Sequence, residues 1–164
     1  MVDVPGNGQG AAQAGQPSVS VIAQYVKDMS FENPAAPETL RPREQAPNIN
    51  VSVGVQPRQL GQNDVEVELR VDARAVDGEQ VLFAIELVYA GLFRLSNVTQ
   101  ENANPIMLIE CPRLLFPFAR QIIADASRHG GFPPLLLDPI DFVALYQQRV
   151  MQGGGETPRP GVPS

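Results

Sequence analysis

Tryptophan is absent, and cysteine and histidine occur once each, as Cys111 and His129. A lone cysteine allows no intrachain disulfide, so nothing argues for an oxidising compartment. One cysteine and one histidine make none of the usual zinc sites, and no carboxylate cluster has calcium-loop spacing; no metal is expected. A nucleophile with its base is missing too. His129 stands beside Gly130-Gly131 as a helix-terminal residue, and Cys111, before Pro112, reads as a small hydrophobe at a helix junction. Gly6 to Gly10 spells GNGQG, but with no strand before it and no helix after it a phosphate cradle has no scaffold. The expectation is a non-enzyme that needs no cofactor and no ATP. No run reaches the roughly 20 apolar residues of a membrane span, and Met1 to Pro17 lacks the basic start and apolar stretch of a secretory signal. A soluble, cytoplasmic protein follows as the expectation.

Positive charge is scarce: 12 Lys and Arg stand against 18 Asp and Glu, a formal net charge of −6. Nucleic acid and anionic membrane surfaces are thereby disfavoured and basic partners favoured. What is present is 164 residues with 43% hydrophobic content, enough for one domain with a core. Residues 1–17 are dominated by Gly, Gln, Ala and Pro, and residues 153–164 read GGGETPRPGVPS. Both compositions bury too little to offset chain entropy. The expected organisation is a disordered segment 1–17, a folded domain 18–152 and a disordered tail 153–164.

Within the domain the first periodic segment is Val19 to Glu32. It puts Val19, Val21, Ala23, Tyr25, Met29 and Phe31 on one side of a strand and Gln24, Asp28 and Glu32 on the other, though Ile22 and Val26 leave the second side only partly polar. Asn33 to Pro47 carries four prolines without backbone donors and reads as a long crossing loop. Ile49 to Val55 alternates as a second strand. Val65 to Ala75 alternates with Glu66, Glu68, Arg70, Asp72 and Arg74, a third strand with one wet, charged face. Asp77-Gly78 suits a tight hairpin turn, so Val81 to Tyr89 should pair antiparallel with that strand.

After Gly91 the period turns helical. A short piece at Asn104 to Glu110 precedes a long helix carrying Leu115, Phe118, Ile122 and Ala126; Pro112 suits its first turn, while Pro117 predicts a kink or a late start. Gly130-Gly131 ends it, and Asp138 as N-cap with Pro139 at the first position predicts the last helix. Strands first and helices after give an α+β fold: a four-stranded antiparallel sheet with helices packed on one face. Glu86 interrupts the apolar run Val81 to Val88 and asks for a partner, or else is a solvent-face residue. Asp28 and Glu32, four apart on a strand, share a face as an acidic pair or a solvated edge.

Tyr25-Val26-Lys27-Asp28-Met29-Ser30-Phe31-Glu32, followed by Pro34 and Pro37, resembles the opening strand of the SecB family of protein-export chaperones. Cys111-Pro112-Arg113-Leu114-Leu115-Phe116-Pro117-Phe118-Ala119-Arg120, Gly131-Phe132-Pro133-Pro134-Leu135 and Asp138-Pro139-Ile140-Asp141-Phe142 are similar to its long helix, glycine break and last helix. With Gly91-Leu92-Phe93 the likeness covers about residues 18 to 150. The resemblance implies an ATP-independent holdase that keeps preproteins unfolded and passes them to the SecA ATPase, assembled as a homotetramer, a dimer of dimers. It also implies that Asp28, Glu32 and Glu86 meet the basic, zinc-binding C-terminal segment of SecA. Family members carry Trp in the crossing loop where this chain reads Arg43-Glu44-Gln45, so no client-lining residue is assigned. A SecB-like chaperone serving another partner, such as an antitoxin, is the alternative.

Overall fold

In the computed structural model, which describes residues 15–152, β1 (Ser18–Glu32), β2 (Asn48–Gln59), β3 (Asp64–Asp77) and β4 (Gln80–Ser96) form one antiparallel sheet ordered β1-β4-β3-β2. The expected disordered ends, residues 1–17 and 153–164, lie outside the described residues except for 15–17. The antiparallel hairpin forms as expected but turns one residue later than Asp-Gly predicts: Asp77 still pairs, with Gln80, and Gly78-Glu79 make the turn, with Gly78 at φ +61°. The loop from Asn33 to Pro47 crosses between the two edge strands. Its Leu40 side chain and the Phe31 ring before it lie so close to Gly131 and Gly130 that a Cβ at either glycine would clash.

Two expectations about the sheet change. β4 does not give way to helix after Gly91 but runs to Ser96, because Phe93 and Leu95 keep the alternation and pair with Val21 and Val19. The simple alternation of β1 is also broken, at Ile22 and at Lys27, by two shifts in its pairing with β4. Each extra residue turns the strand over. Val19, Val21, Met29 and Phe31 therefore share one face with Gln24 and Val26, whereas Ala23 and Tyr25 join Asp28 and Glu32 on the other.

A continuous helical stretch follows: α1 (Gln100–Pro105), a π-helical turn (Ile106–Glu110) and α2 (Cys111–His129). The wide turn has a local cause. Pro112 lacks an N–H and its ring would crowd the Leu108 carbonyl, and Cys111 N–H reaches back to Ile106 O instead. α2 passes through Pro117; both Pro117 and Arg113, whose carbonyl loses its donor, are exposed, so water can satisfy that carbonyl. Every fourth residue of α2, Cys111, Leu115, Ala119, Ile123 and Ser127, is fully buried. That stripe lies on Val65, Val67, Leu69, Val71, Phe83, Ile85, Leu87 and Phe93 of β3 and β4. Gly91 is what lets it approach: a Cβ there would stand 2.9 Å from Leu115 Cδ2.

The last helix, α3 (Phe142–Met151), starts later than Asp138 predicts, because Leu137 is buried with its carbonyl held by Arg120 at 2.7 Å, which keeps the chain extended through Pro139. Its N-cap is Asp141, whose carboxylate accepts from Ala144 N–H at 3.0 Å. With α2 covering one side, the sheet's other side is left open by the described residues.

Candidate functional site: the open face of the sheet

Paired residues in adjacent antiparallel strands point to the same side, so the register lays out the open face as rows. Glu32, Ala84, Arg74 and Asn50 form one row; Ser30, Glu86, Asp72 and Ser52 form the next; Asp28, Val88, Arg70 and Gly54 form the third. Asp28, Glu32 and Glu86 thus come together, with Glu86 opposite Ser30 and diagonal to the other two. Asp72 is a fourth carboxylate, directly opposite Glu86. The sequence places it on a wet face but gives no sign that β4 brings it beside Glu86.

These four carboxylates are exposed and make no ion pair or side-chain hydrogen bond among the described residues. A shallow depression beside Glu86 is lined by Asn50, Ser52, Asp72, Arg74 and Ala84. Like charges directly opposite across strands are destabilising, and no cation among the described residues forms an ion pair with the carboxylates of Glu86 and Asp72. The arrangement suits a basic, extended partner laid across the rows.

The next rows contrast with it. Tyr25, Ala90, Glu68 and Gln56 form one, and Ala23, Leu92, Glu66 and Arg58 the other. Glu66 and Glu68, expected on a wet face, are buried, at 5% and 8% exposure. Lys27 spans β4 to reach Glu66 at 2.8 Å and Glu68 at 2.6 Å, Arg58 adds a bond to Glu66 at 3.1 Å and Arg70 one to Glu68 at 2.9 Å. The Tyr25 hydroxyl donates to the remaining Glu66 oxygen. Hydrogen bonds from Lys27 and then Tyr25 hold the Glu66 carboxyl below its ordinary range. Burial pushes Glu68 up, but the hydrogen bonds from Lys27 and Arg70 outweigh it and its pKa is lowered on balance. The same contacts, led by Glu66, raise the pKa of Lys27. One part of the face is therefore neutralised internally, and the adjoining part carries four carboxylates around a single arginine, Arg74, that makes no ion pair among the described residues. The only sequence signal for the network is Ile22 and Val26, apolar where simple alternation wants polar residues.

On the helix side, Val21, Val26 and Met29 of β1 and Leu114 and Phe118 of α2 stay exposed, with Phe118 stacked on Tyr89 at 6.3 Å between centroids. Cys111 is fully buried, and burial pushes its thiol up to about 12, so it is no nucleophile. No group of three or more His, Cys, Asp or Glu among the described residues is placed to hold a metal ion.

A family model described as preprotein translocase subunit SecB matches residues 12–153. Protein-export protein SecB of Sinorhizobium fredii is 56% identical over 150 residues, covering 92% of this chain and 89% of the relative. Protein-export protein SecB of Methylocella silvestris is 53% identical over 157 residues, covering 96% and 98%. Among solved structures, a Mycobacterium tuberculosis SecB-like chaperone in complex with a peptide from an antitoxin superposes with a TM-score of 0.58 at 15% identity, over 74% of this chain and 90% of that one, a likeness of fold alone. The family model spans the whole sheet and every described helix, and relatives more than half identical cover nearly all of the chain: it belongs to the SecB family.

Proposed function

We propose that this chain holds preproteins unfolded and export-competent without ATP, and delivers them to SecA by presenting the acidic rows of its sheet to SecA's basic, zinc-binding C-terminal segment. As a SecB-family member it is a chaperone of preprotein export and not an enzyme. The observation that carries the delivery step is the gathering of Asp28, Glu32, Asp72 and Glu86, exposed and without an ion pair among the described residues, on one open face. Such a face gains from a cationic partner and does little for apolar clients, so the two activities use different surfaces.

Assembly as a homotetramer, a dimer of dimers, belongs to the same reading. It is supported by the exposed apolar residues of β1 and α2 on the helix side, which a second copy can cover. Obligate interfaces bury on the order of 2,000 Å² or more, so light scattering at micromolar concentration should return a tetramer mass. The site of action is the cytoplasm, where preproteins await export; no described helix is long and apolar enough to cross a membrane. Dedication to an antitoxin is not favoured, because the antitoxin-bound chaperone shares 15% identity whereas the export proteins share more than half.

The test has two arms. Purified protein, without nucleotide, should slow the aggregation of several unrelated unfolded proteins, and calorimetry should show the isolated SecA segment binding in a salt-sensitive manner. Failure of the first arm removes the holdase activity; failure of the second removes SecA delivery through this face.

A further inference from the structure

Lys27 is the only lysine in the chain. It sits at the second interruption of an edge strand, immediately before Asp28. Bulges leave a residue unpaired, disrupt the ladder and bend the strand. Asp28 and Glu32 therefore follow a point where β1 is weakly held by its backbone alone.

The side chains compensate at that point. Lys27 Nζ crosses β4 to bond Glu66 at 2.8 Å and Glu68 at 2.6 Å, and the Tyr25 hydroxyl bonds the other Glu66 oxygen. Ala90 of β4, small and fully buried, lies in the row beneath this bridge. Both glutamates are buried; Arg58 of β2 holds Glu66 from the far side, and Arg70, two residues on in β3, holds Glu68. The outermost strand is thus tied, over its neighbour, to a fixed point on the third.

We propose that Lys27 is a positioning residue for the acidic rows: its bridge to Glu66 and Glu68 holds the bulged strand against β4 so that Asp28 and Glu32 stand beside Glu86. This rests on reading the open face as the surface for a basic partner. Two roles of Lys27 have opposite signs. Acting only through its charge, the ammonium next to Asp28 repels a basic segment, and removing it tightens binding. Acting by position, its loss frees β1 and weakens binding even though the face becomes more acidic.

The experiment compares the full chain with Lys27→Met, Lys27→Arg and Glu86→Lys. It uses calorimetry with a synthetic SecA zinc-binding segment loaded with zinc, amide exchange over residues 23–32, and a thermal melt. Lys27→Met is expected to bind about fivefold or more weakly, with faster exchange across 23–32 and unchanged exchange in β3. Lys27→Arg, whose guanidinium fork can still bridge two carboxylates, should retain binding and protection. If Lys27→Met does not assemble, Lys27→Gln, which keeps a donor for one carboxylate, replaces it with the same expectations. Binding by Lys27→Met as tight as or tighter than the unmodified chain overturns the positioning role, provided Glu86→Lys loses affinity. If Glu86→Lys also binds normally, the reading of the face as the partner surface fails, and the role of Lys27 fails with it.

Discussion

Reversing the charge of Glu86 probes the open face most directly, because Glu86 is exposed, makes no ion pair among the described residues and is flanked by Asp72, Asp28 and Glu32. Glu86→Lys swings two unit charges with respect to any bound cation. At a separation of about 5 Å one charge pair interacts by roughly 0.8 kcal/mol in bulk water and roughly 3 kcal/mol at an effective dielectric near 20. The wet end of that range applies to an exposed side chain, so two units amount to about 1.6 kcal/mol, or about a fifteenfold loss of affinity for the SecA segment. Folding stability should move by less than about 0.5 kcal/mol, and upward, since the new ammonium removes a like-charge opposition with Asp72. Client holding should persist, because apolar burial is non-directional and uses no carboxylate. Calorimetry with the segment at low and high salt, beside an aggregation assay and light scattering on the same variant, reads all of this. The difference between variant and wild type should shrink as the Debye length falls toward roughly 3 Å at 1 M salt. An affinity within about twofold of wild type, or joint loss of client holding and assembly, would refute the reasoning and make Glu86 structural.

Gly91→Ala puts a Cβ 2.5 Å from the Phe93 ring and 2.9 Å from Leu115 Cδ2, so overpacking should cost about 1–3 kcal/mol; an unchanged thermal midpoint would contradict the close α2 approach. The buried carboxyls of Glu66 and Glu68 titrate below their unfolded value of about 4.3, so their contribution is complete above that value and is lost as pH falls through the lower folded values. Urea unfolding between pH 7 and pH 3, at about one-unit steps, should show stability falling on acidification more gently in Glu66→Gln, and an equal slope counts against the network. Cys111, buried with its thiol pushed up to about 12, should resist alkylation in the native protein and react once denaturant unfolds it, as mass spectrometry can follow.

Much of this molecule is readable in the order of its residues. The strand period of Val65 to Ala75, the hairpin beside Asp77-Gly78, the helix after Cys111 and the glycine break after it are local patterns, and each element formed where its pattern lies, although the buried stripe of α2 runs through Leu115, Ala119 and Ile123 while Phe118, expected in that stripe, is exposed. The absence of a catalytic set is likewise a property of composition, and Asp28 and Glu32 could be set on one face by spacing alone because both follow the second bulge. Tertiary structure decided the rest. Tyr25 changed face, Glu66 and Glu68 became buried, Asp72 met Glu86, and Asp141 displaced Asp138 as N-cap. In each case the deciding partner is remote in sequence: Lys27 meets Glu66 and Glu68 at 39 and 41 residues' separation, and Arg120 holds Leu137 at 17. A period records how side chains alternate along their own backbone, but a bulge, a buried charge or a shared row exists only once another strand or helix supplies the opposing group.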